Sequence, residues 1–149
     1  MNKKITSVYL IIILCIFSTV SLFIPGCSDV KNTGIVEADI EKGKVNNISA
    51  EKAYEIISNN DGTYFLLDVR SQEEYKEGHI KDSVLIPVSD LKARLAEVPE
   101  DRVILVYCRS GSRSLTAANI LIENGFSSVF NMEGGITDWI NKGYPEVTD

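Results

Sequence analysis

The residues best suited to chemistry are a cysteine at the end of an apolar run, followed within five residues by a glycine and two arginines: Cys108-Arg109-Ser110-Gly111-Ser112-Arg113-Ser114. The run before it, Val103-Ile104-Leu105-Val106-Tyr107, is unbroken and rich in β-branched residues, the signature of a buried strand. The segment after it, Leu115 to Asn124, puts Leu115, Ala118 and Ile122 on one helical face and stops at Gly125. A strand end that feeds a helix start presents unpaired N–H groups and a positive dipole end, which favour an anion. Gly111 lets the loop curl with its amides turned inward, and Arg109 and Arg113 add two permanent positive charges. A thiol placed there ionises more readily than a free one, and its thiolate is a nucleophile. A lone buried cysteine is ordinarily an inert packing residue. The glycine and the two arginines are what set Cys108 apart.

The elements that must position this loop can be read from Val45 onward. Ser49 reads as an N-cap without a capping box, opening a helix with Ala50, Ala53, Tyr54, Ile56 and Ile57 that ends near Asn59-Asn60-Asp61-Gly62. Tyr64 to Val69 is a strand, and Ser71 to Glu77 is a short capped helix stopped by Gly78. Ser83 to Ile86 is a further strand, closed by Pro87, and Ser89 is expected to cap a helix through Leu91 and Leu95 that ends at Pro99. Ser127 to Asn131 is a last strand, followed by Gly134-Gly135 and a short helix around Trp139. Strands alternating with helices imply an α/β domain with a mainly parallel sheet. Ligands of such sheets bind at the carboxyl ends of the strands, where the cysteine loop lies.

A chain of 149 residues suits one domain with a real core. Its net charge of −6 argues against a nucleic-acid partner. Residues 1–26 read as a signal sequence, with Lys3 and Lys4 ahead of an apolar segment from Val8 to Ile24. Ile24-Pro25-Gly26-Cys27 resembles the bacterial lipobox, in which the cysteine is lipidated, although Pro25 departs from that pattern. An uncleaved anchor and a conventionally cleaved signal are the alternatives, and all three place the body outside the cytoplasm, on the cell membrane if anchored. Residues 27–44 are polar and mixed in charge and read as a tether; a flexible one would span on the order of 20–25 Å. Residues 45–149 form the folded body. With Cys15 in the apolar segment and Cys27 at the lipobox, Cys108 is alone in that body, so no disulfide can form within it. No Cys or His cluster marks a metal site, and no cofactor is called for.

Three stretches resemble signatures of the rhodanese (thiosulfate sulfurtransferase) family. Asp68-Val69-Arg70, Glu74-Tyr75, Gly78-His79-Ile80 and Pro87 match the first, and Cys108 to Ser114 match its active-site loop. Asn131-Met132-Glu133-Gly134-Gly135-Ile136, with Trp139 and Gly143-Tyr144-Pro145, match the closing one. The resemblance implies a rhodanese-like α/β domain with a five-stranded, mainly parallel sheet flanked by helices. It implies that Cys108 takes sulfane sulfur from an anionic donor such as thiosulfate as a persulfide and passes it to a thiol or cyanide. Amides of Arg109, Ser110, Gly111, Ser112, Arg113 and Ser114 would hold the persulfide, and Arg109 and Arg113 would orient the donor. It makes His79 a packing residue, and Asp68, Arg70 and Glu74 a buried supporting charge network. Gly134-Gly135 reads as a turn and Trp139 as core.

Two other functions fit parts of this pattern. Phosphatases and arsenate reductases of the fold shared with the dual-specificity cell-cycle phosphatases wrap an oxyanion between a Cys and an Arg. Here four residues, Arg109 to Ser112, separate Cys108 from Arg113, one fewer than in those enzymes, which makes a tighter cradle. A non-catalytic binding module is the other reading, although family members of that kind usually lack the loop cysteine that this chain keeps; a persulfide-sensing role for Cys108 fits the same residues.

Overall fold

The computed structural model describes residues 41–59 and 62–148. The signal sequence, Cys27 and most of the tether lie outside the described residues. The last tether residues, 41–44, form a turn in which the Gly43 N–H donates to the Ser127 carbonyl (2.9 Å), so contacts with the body begin just before Val45. No helix among the described residues is long and apolar enough to cross a membrane.

In chain order the elements are β1 (Val45–Ile48), α1 (Ala50–Asn59), β2 (Tyr64–Asp68), α2 (Gln72–Glu77), β3 (Val84–Leu85), β4 (Val103–Tyr107), α3 (Ser112–Glu123), β5 (Val129–Met132) and α4 (Gly135–Asn141). The five strands form one sheet in the order β1-β5-β4-β2-β3, and every neighbouring pair is parallel. β4 is central, with Leu66 opposite Leu105 on one side and Leu105 opposite Phe130 on the other.

The unbroken apolar run of β4 follows from burial on both faces, because successive side chains of a strand point to opposite sides. Ile104, Val106 and Cys108 face a core shared with Leu67, Val69, Ala117, Ala118 and Leu121. Leu105 and Tyr107 face the other, with Ala50, Ala53, Phe130, Ile136 and Trp139. One layer is therefore built on α3 and the other on α1 and α4.

Ser49 and Ser71 cap as expected. The Lys52 N–H donates to Ser49 Oγ (3.3 Å), and Ser71 and Glu74 complete a reciprocal capping box at α2. Three readings need correction. Helix α3 starts at Ser112, and its buried face is Ser114, Ala117, Ala118 and Leu121, whereas Leu115 is 41% exposed. Ala117 and Ala118 pack beside Leu121 against the sheet, and Leu115 points away from it. The expected helix after Ser89 is two 3-10 turns, Leu91–Ala93 and Leu95–Glu97. Ser89 Oγ donates to Asp90 Oδ1 (2.9 Å) in place of capping, and Arg94 (φ −116°, ψ 17°) breaks helical continuity between them. The last strand starts at Val129, two residues later than read.

Candidate functional site

The chain leaves β4 at Tyr107, and Cys108 is the next residue, 1% exposed at the carboxyl edge of the sheet. The loop closes at Gly111, whose left-handed conformation (φ 92°, ψ −18°) starts α3 without a side-chain cap. That conformation is natural only for glycine, and it aims the Gly111 N–H at the sulfur, with N 3.2 Å from Cys108 Sγ. From the first turn of α3, Ser114 Oγ stands 3.4 Å from Sγ and 3.0 Å from the Gly111 carbonyl oxygen. Its single hydroxyl proton can satisfy one of these acceptors at a time. When the sulfur is a thiol the proton can rest on the carbonyl, and when it is an anion the hydroxyl can turn to it.

Burial pushes the Cys108 thiol up, but the Ser114 hydroxyl, followed by the amides of Ser114, Ser110 and Gly111, pulls it further down. The net result lies below the ordinary thiol value. Of the amides expected around the sulfur, that of Gly111 lies within hydrogen-bond distance of it. The groups in direct contact with the sulfur are the Gly111 amide and the Ser114 hydroxyl, and Arg113 acts on it through space. Ser114→Ala should therefore move the midpoint of the pH–rate profile for Cys108 alkylation by iodoacetamide upward. An unmoved midpoint would mean that the hydroxyl does not serve the anion.

The two arginines have different tasks. Arg113 makes a two-pronged pair with Glu74, at 2.7 Å on each prong. Glu74 Oε2 also accepts the Ser71 N–H in the capping box (3.1 Å). The Arg113 guanidinium draws the Glu74 carboxyl down to about 2, so the pair is intact throughout the neutral range. Arg113 is therefore committed to tying the first turn of α3 to α2, and its charge is balanced. Arg109 is exposed. It lines a cleft of about 300 Å³ together with Arg70, Glu74, Glu77, Gly78, Ile136, Thr137, Ile140 and Glu146. Ser110 and Ser112 are exposed on the same loop.

The expected charge network is two pairs. Asp68 is wholly buried and takes Arg70 Nη2 at 2.6 Å and Nε at 2.9 Å, while Nη2 also donates to the Gly78 carbonyl (2.7 Å). The guanidinium lies 5.6 Å from the centre of the Tyr107 ring. Glu74 joins Arg113 and reaches Arg70 only through space. Such a buried, fully bonded pair fixes the end of β2 beside the loop. His79 is a packing residue, as expected: its ring stacks on Tyr75 at 3.8 Å, and Nδ1 lies 3.0 Å from the Tyr75 carbonyl oxygen. No cluster of metal-ligating side chains occurs among the described residues.

What the sequence reading missed is the start of α4. Gly134 and Gly135, read as a turn, hold φ of 73° and 59°. The Ile136 N–H donates to the Cys108 carbonyl (2.9 Å) and the Thr137 N–H to the Arg109 carbonyl (3.1 Å). The helix start therefore grips the outer backbone of the cysteine loop. A Cβ on Gly135 would lie 2.4 Å from the Cys108 carbonyl oxygen. The paired glycines carried the signal, for a glycine is also required where two backbones touch.

The rhodanese-like domain family model matches residues 49–142. A sulfurtransferase from Allochromatium vinosum is 35% identical over 103 residues, covering 69% of this chain and 95% of that protein. The thiosulfate sulfurtransferase GlpE of Coxiella burnetii is 32% identical over 92 residues, covering 62% and 84%. Among solved structures, a rhodanese-related protein from Thermoplasma volcanium superposes with a TM-score of 0.63 at 37% identity, covering 69% of this chain and 98% of that one.

Proposed function

We propose that this chain, which belongs to the rhodanese family, takes sulfane sulfur from an anionic donor such as thiosulfate onto Cys108 and hands it to a thiol or to cyanide. The family match and the sulfurtransferase relatives support sulfur transfer as the reaction class. The observation that carries the finer reading is the pair of donors on Cys108 Sγ, the Gly111 amide and the Ser114 hydroxyl. They favour an anion at that position before any substrate arrives, which is the preorganisation a persulfide needs.

In this mechanism the Cys108 thiolate attacks the outer sulfur of thiosulfate. The sulfur–sulfur bond of the donor breaks, and its electron pair leaves on sulfite. The persulfide left behind, Cys108–S–S⁻, carries its charge on the outer sulfur, within a loop that presents inward-facing amides. Cyanide or a thiolate then attacks that outer sulfur, and the Cys108 thiolate is restored as thiocyanate or a new persulfide departs. Arg109, exposed at the cleft, is the cation that meets the donor, and Arg113 positions the loop through Glu74. The short loop and the 1% exposure of Cys108 favour a donor that presents a single sulfur atom over a tetrahedral oxyanion.

The test is thiocyanate formation from thiosulfate and cyanide by the purified protein, run beside hydrolysis of an aryl phosphate. Thiocyanate without phosphate release is expected. Phosphate release without thiocyanate would replace this reading with a phosphatase.

The reading extends to location. Lys3, Lys4, the apolar segment Val8 to Ile24 and Cys27 after Gly26 support a lipid-anchored protein on the outer side of a bacterial cell membrane. Cys27→Ser should block precursor processing and abolish incorporation of labelled fatty acid. A wild-type protein that takes up no label would leave the uncleaved anchor in its place.

A further inference from the structure

Ser114 is wholly buried in the first turn of α3, and its hydroxyl has two acceptors in reach, Cys108 Sγ at 3.4 Å and the Gly111 carbonyl oxygen at 3.0 Å. The Gly111 carbonyl does not depend on that hydroxyl, because the Leu115 N–H also donates to it (3.0 Å). When the hydroxyl turns to the sulfur, the carbonyl therefore keeps a partner and no buried acceptor is left bare. The hydroxyl is free to follow the charge on Sγ by rotation about a single bond. The other donor on the sulfur, the Gly111 N–H, belongs to the loop backbone and cannot turn in this way.

The charge on Sγ changes during sulfur transfer. In the empty protein Sγ carries it as a thiolate. In the persulfide Sγ is a neutral divalent sulfur, a weak acceptor, and the charge lies on the outer sulfur. A hydrogen bond to an ionised group is roughly twice as strong as one between neutral groups, and a site closed to water strengthens it. A hydroxyl that can choose between Sγ and a carbonyl thus stabilises the thiolate and adds little to the persulfide. Ser114 tells the two states apart.

We propose that Ser114 is a catalytic residue of sulfur release: its hydroxyl stabilises Cys108 Sγ as the leaving group, and so tilts the balance between loaded and empty protein towards the empty one. This rests on the sulfurtransferase reading above and assigns a residue to its second step. The acceptor thiolate attacks the outer sulfur and forms a bond to it, and the bond between that sulfur and Sγ breaks with its electron pair going to Sγ. As the pair arrives, the Ser114 O–H turns from the Gly111 carbonyl to Sγ, and its proton stays on oxygen throughout. No net oxidation occurs and no further reactant is needed. Loading runs the other way: the same hydrogen bond is given up as Sγ attacks the donor.

The experiment compares the full-length wild type with Ser114→Ala, each on the alkaline plateau of its own iodoacetamide profile, where Cys108 is fully ionised in both. Each protein is equilibrated with mixtures of thiosulfate and sulfite, and the fraction carrying one added sulfur is read from the intact mass. Loading by thiosulfate and discharge of the preformed persulfide to cyanide are timed separately in single turnovers. Ser114→Ala should move the loading equilibrium towards the persulfide by about tenfold, the effect of losing a hydrogen bond to a charged group. Discharge should slow while loading does not. The midpoint of the alkylation profile should rise by a matching amount, about one pH unit for a tenfold change, because both report the same bond to the thiolate. Ser114→Thr, which keeps the hydroxyl, should displace the equilibrium much less than Ser114→Ala does. An equilibrium unmoved in Ser114→Ala, or moved towards the empty thiolate as it would be if the hydroxyl served the outer sulfur, would overturn the proposal and leave the sulfurtransferase reading standing. So would a Ser114→Thr equilibrium displaced as far as that of Ser114→Ala. A wild-type protein that gains no sulfur from thiosulfate at any sulfite concentration would overturn both.

Discussion

Gly135→Ala is expected to abolish sulfur transfer and to lower the melting temperature more than any other single-methyl addition to the described domain. The added Cβ would lie 2.4 Å from the Cys108 carbonyl oxygen and 2.6 Å from the Arg109 carbonyl carbon and oxygen. These are backbone atoms, which cannot swing aside as the end of a flexible side chain can. Relief requires α4 or the cysteine loop to move, and either motion breaks the bonds from Ile136 and Thr137 to the loop carbonyls. Overpacking costs roughly 1–3 kcal/mol, and the left-handed backbone adds about 1–2 kcal/mol for a residue with a Cβ. At about 4–8 °C per kcal/mol for a domain of this size, the combined cost of roughly 2–5 kcal/mol corresponds to a fall on the order of 8–40 °C. Gly125→Ala is the control. Gly125 has φ 96° with nothing within 4 Å of an added Cβ, so it bears the backbone cost alone. Thermal unfolding of the two variants, followed by circular dichroism, should separate them clearly. Equal melting temperatures would show that the grip of α4 on the loop is not tight.

Gly111→Ala should show the opposite balance, a large loss of activity with a smaller loss of stability. Its Cβ would sit 3.2 Å from Gly134 N, 3.4 Å from Glu133 Cα and 3.5 Å from the Met132 carbonyl oxygen, a tight fit that slight shifts can relieve. The strain of φ 92° is relieved by rotating the very peptide whose N–H points at Sγ. Removing one preorganised donor from a developing anion costs roughly 10²–10³ in rate, so thiocyanate turnover should fall by about a hundredfold or more. The melting temperature should fall by only about 4–16 °C, the equivalent of roughly 1–2 kcal/mol. Wild-type turnover in this variant would show that the Gly111 amide does not serve the sulfur.

Much of this site was legible in the sequence, because its nucleophile and its loop are contiguous. Cys108 to Ser114 run from a strand to a helix without interruption, and a glycine at the bend fixes which way the amides face. The parallel sheet was legible for a similar reason, since the double-sided burial of Val103 to Tyr107 leaves no polar residue in the run. What escaped was pairing between segments distant in sequence. Nothing in the residues around Arg113 shows that its charge belongs to Glu74, thirty-nine residues earlier. Nor does the Gly134-Gly135 pair show which backbone it will meet. The buried face of α3 escapes a reading based on hydrophobicity alone, because Leu115 outweighs Ala117 there, whereas the structure turns Ser114, Ala117, Ala118 and Leu121 inward and leaves Leu115 exposed. The segment after Ser89 kept its apolar anchor, with Leu91 fully buried, but a local Ser89–Asp90 bond replaced the cap.

The most direct measurement is the intact mass of the protein after incubation with thiosulfate and removal of excess donor. One added sulfur atom, about 32 Da, should appear on the wild type, disappear on treatment with cyanide, and be absent from Cys108→Ser; these follow from a thiolate held by the loop amides and the Ser114 hydroxyl. A wild-type protein whose mass does not change, or an adduct that persists in Cys108→Ser, would contradict the assignment of Cys108 as the residue that carries sulfur.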